Sequence, residues 1–270
     1  MRFGRRKDVM HISEAQLTAM TANLDGMHQQ ALPEMHAAVS KWSEKLRDGV
    51  RQAGTHQSSR RGFLVGSGVA LGGVALAACG GTDSAKPPTT TTSAGKPPAK
   101  SAPTAVQVGM LAAALENTAV LTYATALKAA QSGKLGPVPP AISTFITTVM
   151  QQHQDHADAW NAALPSANKV GKQVDTTVMD LVVTPAIANV KDIVGVATLA
   201  LQLENAAAAT YQKSLQQLQD VQQLQLPASI QPVEMQHAAI LSFVLGQYPV
   251  PDAFSITDAA RPTTDHIGNA

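Results

Sequence analysis

Downstream of Cys79 the 270-residue chain holds three glutamates, Glu116, Glu204 and Glu234, and four histidines, His153, His156, His237 and His266. All but His266 fall into a pattern that occurs twice. Glu116 lies in LENTAVLTYATAL (115–127) and Glu204 in LENAAAATYQKSL (203–215), and seven of the thirteen positions are identical. Each copy is followed by a histidine three residues after a further candidate ligand: His153-x-x-His156, then Glu234-x-x-His237. Side chains three apart share a helix face, so each pair points one way. Carboxylate with imidazole suits Fe, Mn or Zn, and the absence of a nearby thiolate argues against an iron–sulfur cluster.

The setting of these residues sharpens the chemistry. Glu116 sits among Leu111, Leu115, Ala119 and Val120, and Glu204 among Leu199, Ala200, Leu203 and Ala207. A glutamate on an apolar helix face is costly unless it is paired or bound to a metal. The polar faces use Gln, Asp, Lys and Thr instead, as in QQLQDVQQLQ, so glutamate is not serving as general surface charge. Plainer readings stand beside the metal reading. Glu-x-x-His arises by chance in many helices, and His153 with His156 can be satisfied in a polar network by Asn117 or a tyrosine. Tyr123 and Tyr211, seven residues after their glutamates, suit core packing, a hydrogen bond to a ligand, or electron transfer. Asn117 and Asn205 suit outer hydrogen bonds to the ligands or bonds between helices.

Four helices must position these side chains. The first is expected over about 104–131, ending near Gly133 and Gly136. The second starts at Pro139-Pro140, which suit a first turn, and ends near Leu164-Pro165. The third spans about 190–219, and the fourth begins after a Ser229 cap, with Pro232 in its first turn, and stops at Gly246. The first–second and third–fourth connections are short. The 166–189 connection is long and carries Pro185, with a short helix near 177–183. Short loops make antiparallel neighbours and a long one can cross a bundle, so the fold class is an all-α four-helix bundle with one crossover.

In this connectivity and ligand pattern, residues 104–246 resemble the ferritin-like carboxylate metal proteins. Those take one Glu from each of two helices and Glu-x-x-His from the other two. The resemblance implies that Glu116 and Glu204 are terminal carboxylates, Glu234 a bridging one, and His156 and His237 terminal imidazoles. His153 departs from the pattern, standing where the family has its second bridging glutamate. The ligand set drops to three carboxylates and three imidazoles, which suits an asymmetric pair of ions or a single ion better than a symmetric di-iron centre. Asp155 and Asp158 lie too far round the helix to make up the loss, at about 100° per residue. The resemblance implies Fe(II) oxidation by O2 or peroxide, with Mn or Zn as other occupants. The competing class is a non-catalytic scaffold or binding protein with one ion or none.

The remaining segments concern location. Residues 1–58 form a basic leader, with one or two amphipathic helices from about His11 to Arg51 broken near Pro33. Its Met27-His28 and Met35-His36 pairs admit a soft-metal reading, and translation from Met27 or Met35 is an alternative start. Residues 59–79 resemble a twin-arginine export signal (Arg60, Arg61) followed by an apolar run and a lipobox, LAAC, ending at Cys79. The run is short against the roughly 20 residues of a membrane span, and it fits a signal peptide. Lipidation of Cys79 would anchor the protein on the outer face of the cytoplasmic membrane; an uncleaved signal anchor or a buried helix is the alternative. Residues 80–103, rich in Pro, Thr and Ser, form a disordered linker, and 247–270 an irregular tail. Residues 1–78 carry ten Lys/Arg against six Asp/Glu, and 79–270 ten against thirteen. The later region has no basic stripe, so nucleic acid is not an expected partner. The export machinery and the membrane are, and self-association is compatible with the family. A lone cysteine rules out an intrachain disulfide.

Overall fold

The computed structural model describes residues 10–55, 104–250, 257–263 and 267–268. Arg60, Arg61, Cys79, the 80–103 linker and His266 lie outside them. One compact unit comprises residues of 1–47 and 103–270, and a second those of 48–102. Of the second, the described residues are the last turns of one helix.

The four expected helices are present: α2 (Ala105–Gln131), α3 (Pro140–Ala163), α6 (Ile193–Gln217) and α7 (Val221–Val244), preceded by α1 (Glu14–Thr55). Their ends have local causes. Thr104 and Gln107 form a capping box at the start of α2. Pro140 occupies the first turn of α3, where its missing N–H costs nothing. Asp192 and Asp220 accept backbone N–H bonds at the starts of α6 and α7. Gly133 and Gly136 take positive φ in the α2–α3 turn.

Three features differ from the sequence reading. Helix α7 begins at Val221, about two turns before the expected Ser229 cap, and carries Pro227 and Pro232 inside it. An interior proline costs about 3 kcal/mol or more, but the added turns bury Leu226 completely. Leu226 packs in one cluster with Met35, Trp42, Trp160 and Ile230, so tertiary packing overrides the local preference. The crossover also holds more structure than expected. It runs through a two-residue strand β1 (Val174–Asp175), α4 (Thr176–Val178), a π-helical turn (Met179–Val183) and α5 (Thr184–Asn189). The tail returns to it: β2 (Ile267–Gly268) pairs antiparallel with β1, and Arg261 Nε donates to Asp175 Oδ2 at 3.1 Å.

The third feature concerns α1. As far as Arg47 this helix shares the compact unit of the bundle. Its buried residues are Leu17, Thr21, Leu24, His28, Met35, Ala38 and Trp42. That spacing of threes and fours is the narrow stripe of a helix laid along other helices. Trp42 meets Trp160 edge to face at 5.0 Å and Lys45 pairs with Asp220 at 2.7 Å. Fully burying each large apolar side chain contributes about 1.5–3 kcal/mol. The Met/His pairs do not converge, since His28 and Met35 are buried while Met27 and His36 face outward.

Two apolar clusters fill the bundle. One contains Leu17, Leu24, Phe145, Ile146, Val196 and Leu241, and the other Met35, Trp42, Val108, Trp160 and Leu226. They occupy opposite ends of the four helices, and the glutamates and histidines lie midway. Helices α2 and α6 have the length and hydropathy of a membrane span, with about half of each such stretch buried inside the protein.

Candidate metal centre

Four helices deliver six ionisable side chains to one place. Glu116, His153, His156, Glu204, Glu234 and His237 are each at most 2% exposed. Their donor atoms fall into two groups, Glu116/His153/His156/Glu234 and His153/Glu204/Glu234/His237. Within each group the atoms lie within 4.8 Å of one another. His153 and Glu234 belong to both. These are the two positions that the sequence pattern equates across the repeat, so they occupy the shared middle of the site.

His153 spans the two groups with its two nitrogens. Nδ1 lies 2.7 Å from Glu116 Oε2 and Nε2 lies 3.2 Å from Glu204 Oε1. His156 Nδ1 is 3.2 Å from Glu234 Oε1 and 3.5 Å from Glu116 Oε2. His237 Nδ1 is 3.2 Å from Glu204 Oε2, and its Nε2 is 2.8 Å from Gln152 Oε1. The tyrosines cross between the copies. Tyr123 on α2 donates to Glu204 at 2.5 Å, and Tyr211 on α6 donates to Glu116. Trp160 Nε1 donates to the Tyr211 hydroxyl at 2.8 Å.

The charges respond to this crowding. Burial opposes charge on His153, but Glu234 and Glu204 outweigh it and hold the imidazole well above its usual range. Burial likewise disfavours charge on His156, and Glu116 and Glu234 still raise it to about 9. Glu116 resists its own burial through His156 and His153 and falls to about 2. Glu204 is held well below the carboxylate range, His153 and His237 outweighing its burial. Glu234 goes the other way: burial and the Glu116 charge push it up to about 8. His237 is lowered, chiefly by burial. The cluster therefore sets histidines against glutamates in close buried pairs, with Glu116 and Glu204 the carboxylates that ionise most readily and Glu234 the one that resists.

That balance leaves polar atoms unsatisfied. His156 Nδ1 and both Glu234 oxygens are buried with no hydrogen-bond partner. Buried polar groups normally have partners, and these three are imidazole and carboxylate atoms a few ångströms apart, the donor set of a borderline divalent ion. The residues fit a metal.

Two outer residues expected from the sequence fall elsewhere. Asn117 Nδ2 donates to Gly171 O at 2.9 Å and Gln173 O at 2.7 Å, tying α2 to the crossover. Asn205 is exposed, because its copy of the motif has no crossover chain beside it. Gln152 and His28 are the neighbours that sequence reasoning missed. Gln152 lies four residues before His156 and shares its face, but glutamine is common on the outer faces, which masks the signal. His28 Nε2 is 3.1 Å from Asp155 Oδ2, and its ring stands edge to face with His156 at 5.2 Å. No pattern in the 104–246 region points to a residue on α1.

A family model described as a ferritin-like domain matches residues 104–247. No curated protein and no solved structure matches the chain.

Proposed function

Because the chain belongs to the ferritin-like domain family, we propose that its central cluster holds divalent metal and serves Fe(II) oxidation by O2 or peroxide. The observation that carries this is the set of buried atoms without a hydrogen bond, His156 Nδ1 and both Glu234 oxygens, inside two overlapping donor groups. Glu116, His156 and Glu234 would hold one ion, Glu204, His237 and Glu234 the other, and His153 stands between them. Bound iron supplies one-electron redox chemistry at the centre of the bundle. Tyr123 and Tyr211 orient Glu204 and Glu116 by hydrogen bonds from phenols that burial keeps protonated. Gln152 Oε1 accepts from His237 Nε2 and so fixes that ring. The two apolar clusters exclude water from either end.

A second reading, a scaffold with one ion or none, is favoured by the close pairs that the histidines and glutamates form with one another. Anaerobic titration of the purified protein with Fe(II), followed by addition of O2, separates the two. Uptake near two ions with O2 consumption supports the oxidase. A single redox-silent ion, unaffected by Glu204→Ala, supports the scaffold.

The place of action belongs to the same proposal. Export through the twin-arginine pathway and a lipid on Cys79 would set the bundle outside the cytoplasmic membrane, on the 80–103 linker. The order of Arg60-Arg61, apolar run and LAAC supports this. Cys79→Ser should abolish lipid labelling, and replacing Arg60 and Arg61 with Lys should leave precursor in the cytoplasm. Normal processing of both variants would refute it.

A further inference from the structure

A pocket lies between α2 and α6, and it reaches two residues of the central cluster, His153 and Glu204. His153, Glu204 and Tyr123 form the floor, while Leu115, Ala119, Leu203 and Ala207 line the walls. The floor residues are buried and those four wall residues are partly exposed, so the pocket leads from the surface to the donor atoms. The walls are more apolar than their composition suggests. Thr118 Oγ1 donates to Ala114 O at 2.7 Å and accepts from Asp175 N at 3.0 Å. Thr122 Oγ1 donates to Thr118 O at 2.7 Å. Both threonines spend their hydroxyls on backbone, and the polar side chains that remain are those of the floor and Arg261, whose Nε binds Asp175.

Small residues keep the passage open. Ala119 and Ala207 are the matched alanines of the two LEN motifs, and Ala200 and Ala206 also line it. A longer side chain at Ala119 or Ala207 would project into it. An apolar-walled pocket with a polar floor selects a molecule with an alkyl body and one polar end, the usual division of labour in a small-molecule site. Hydrogen peroxide would enter with both hydroxyls unpartnered along the walls, a desolvation cost that an alkyl group does not incur.

We propose that this pocket binds small alkyl hydroperoxides, seating the alkyl group between α2 and α6 and the hydroperoxyl end against the Glu204–His153 floor. Binding requires only the pocket; turnover rests on the metal reading above. Reduction of ROOH to ROH and water breaks the O–O bond and takes up two protons and two electrons, one from each of two Fe(II) that become Fe(III).

The test uses the full chain and two readouts. In the metal-free protein, saturation-transfer NMR with tert-butyl alcohol as probe should show contact with its methyl protons. Ala207→Phe should abolish that contact while leaving Fe(II) uptake unchanged. In the iron-loaded protein the same variant should raise KM for tert-butyl hydroperoxide about tenfold or more, leaving that for hydrogen peroxide unchanged. If Ala207→Phe does not fold, Ala119→Leu tests the other wall, and Leu203→Ala should widen the pocket enough to admit cumyl hydroperoxide. Iron uptake without probe contact, or contact that persists in a folded Ala207→Phe, overturns the pocket alone. Probe contact without iron uptake overturns the metal reading, and hydroperoxide turnover with it.

Discussion

The two halves of the centre share a sequence motif and differ in how they hold protons. The α2–α3 half contributes Glu116 and two imidazoles, and the α6–α7 half contributes Glu204, Glu234 and one imidazole. In the first, His156 rises to about 9, while in the second His237 is lowered and Glu234 rises to about 8. One exchange, imidazole for carboxylate at His153, accounts for the contrast. It sets an imidazole between Glu116 and Glu204 and leaves Glu234, fully buried beside the Glu116 charge, as the acid that ionises least readily. Repeated geometry does not impose repeated electrostatics, because each titrating group answers to the whole cluster.

The largest effect should come from Glu234, the carboxylate that belongs to both groups. Glu234→Ala should remove metal from both positions, exceeding the roughly 10–100-fold cost of losing an outer partner; equilibrium dialysis with Fe(II) or Zn(II) measures it. Loss of a single ion would show the halves to be independent.

His153→Glu makes the two halves match and should separate stability from affinity. Without metal it replaces the cation between two buried carboxylates by a further acid. Breaking a buried pair in this way costs about 3–5 kcal/mol, so the metal-free melting temperature should fall. With metal, the second ion should bind more tightly and stabilise the fold by linkage. An unchanged metal-free melt would mean that His153 is not the balancing charge.

The pH dependence follows from the same contrast. His156, raised from 6.5 to about 9, stabilises the metal-free fold fully below 6.5, and that contribution is lost as pH rises through 9. Glu234, raised from 4.5 to about 8, favours the folded state most at low pH and loses that effect between those values. Glu116, lowered from 4.5 to about 2, acts in the opposite sense, contributing above 4.5 and failing as pH falls through 2. Metal requires the deprotonated ligands, so affinity should rise from pH 6 towards 9 with proton release on binding. Titration in an indicator-buffered solution reads both; metal uptake that is flat over this range would contradict the assigned protonation states.

The smallest effect contrasts the matched asparagines. Asn117→Ala removes two bonds to the crossover at a cost of about 1–3 kcal/mol, whereas exposed Asn205→Ala should stay within about 0.5 kcal/mol. Chemical denaturation resolves the difference, and equal effects would mean that the crossover contacts contribute little.

Much of this was legible beforehand. The six central residues were readable because glutamate is scarce after Cys79 and recurs at matched positions, and the α2–α3 turn because Gly133, Gly136 and Pro139-Pro140 are local signals. The start of α7 was not readable. Pro227 and Pro232 argue locally for a break, and only the distant Trp42 cluster makes the longer helix worthwhile. The tyrosine exchange between copies was hidden for the same reason, since spacing places a side chain on a face and says nothing about which neighbour it reaches. Gln152, His28 and the Asn117 bonds depend on packing partners far along the chain, beyond any periodic pattern.

Helix α1 and the four-helix bundle lie on opposite sides of Cys79 in the chain. A protease that cleaved immediately before that cysteine would sever the covalent tether, and the Trp42–Trp160 contact and the Lys45–Asp220 pair would then join two molecules. Such an association depends on concentration where the tethered one does not. Once the peptide diffused away, the side of His156 that the His28 ring now covers would lose that contact. Such a cleavage would thus leave the four helices of the bundle without the fifth that the uncleaved chain packs against them.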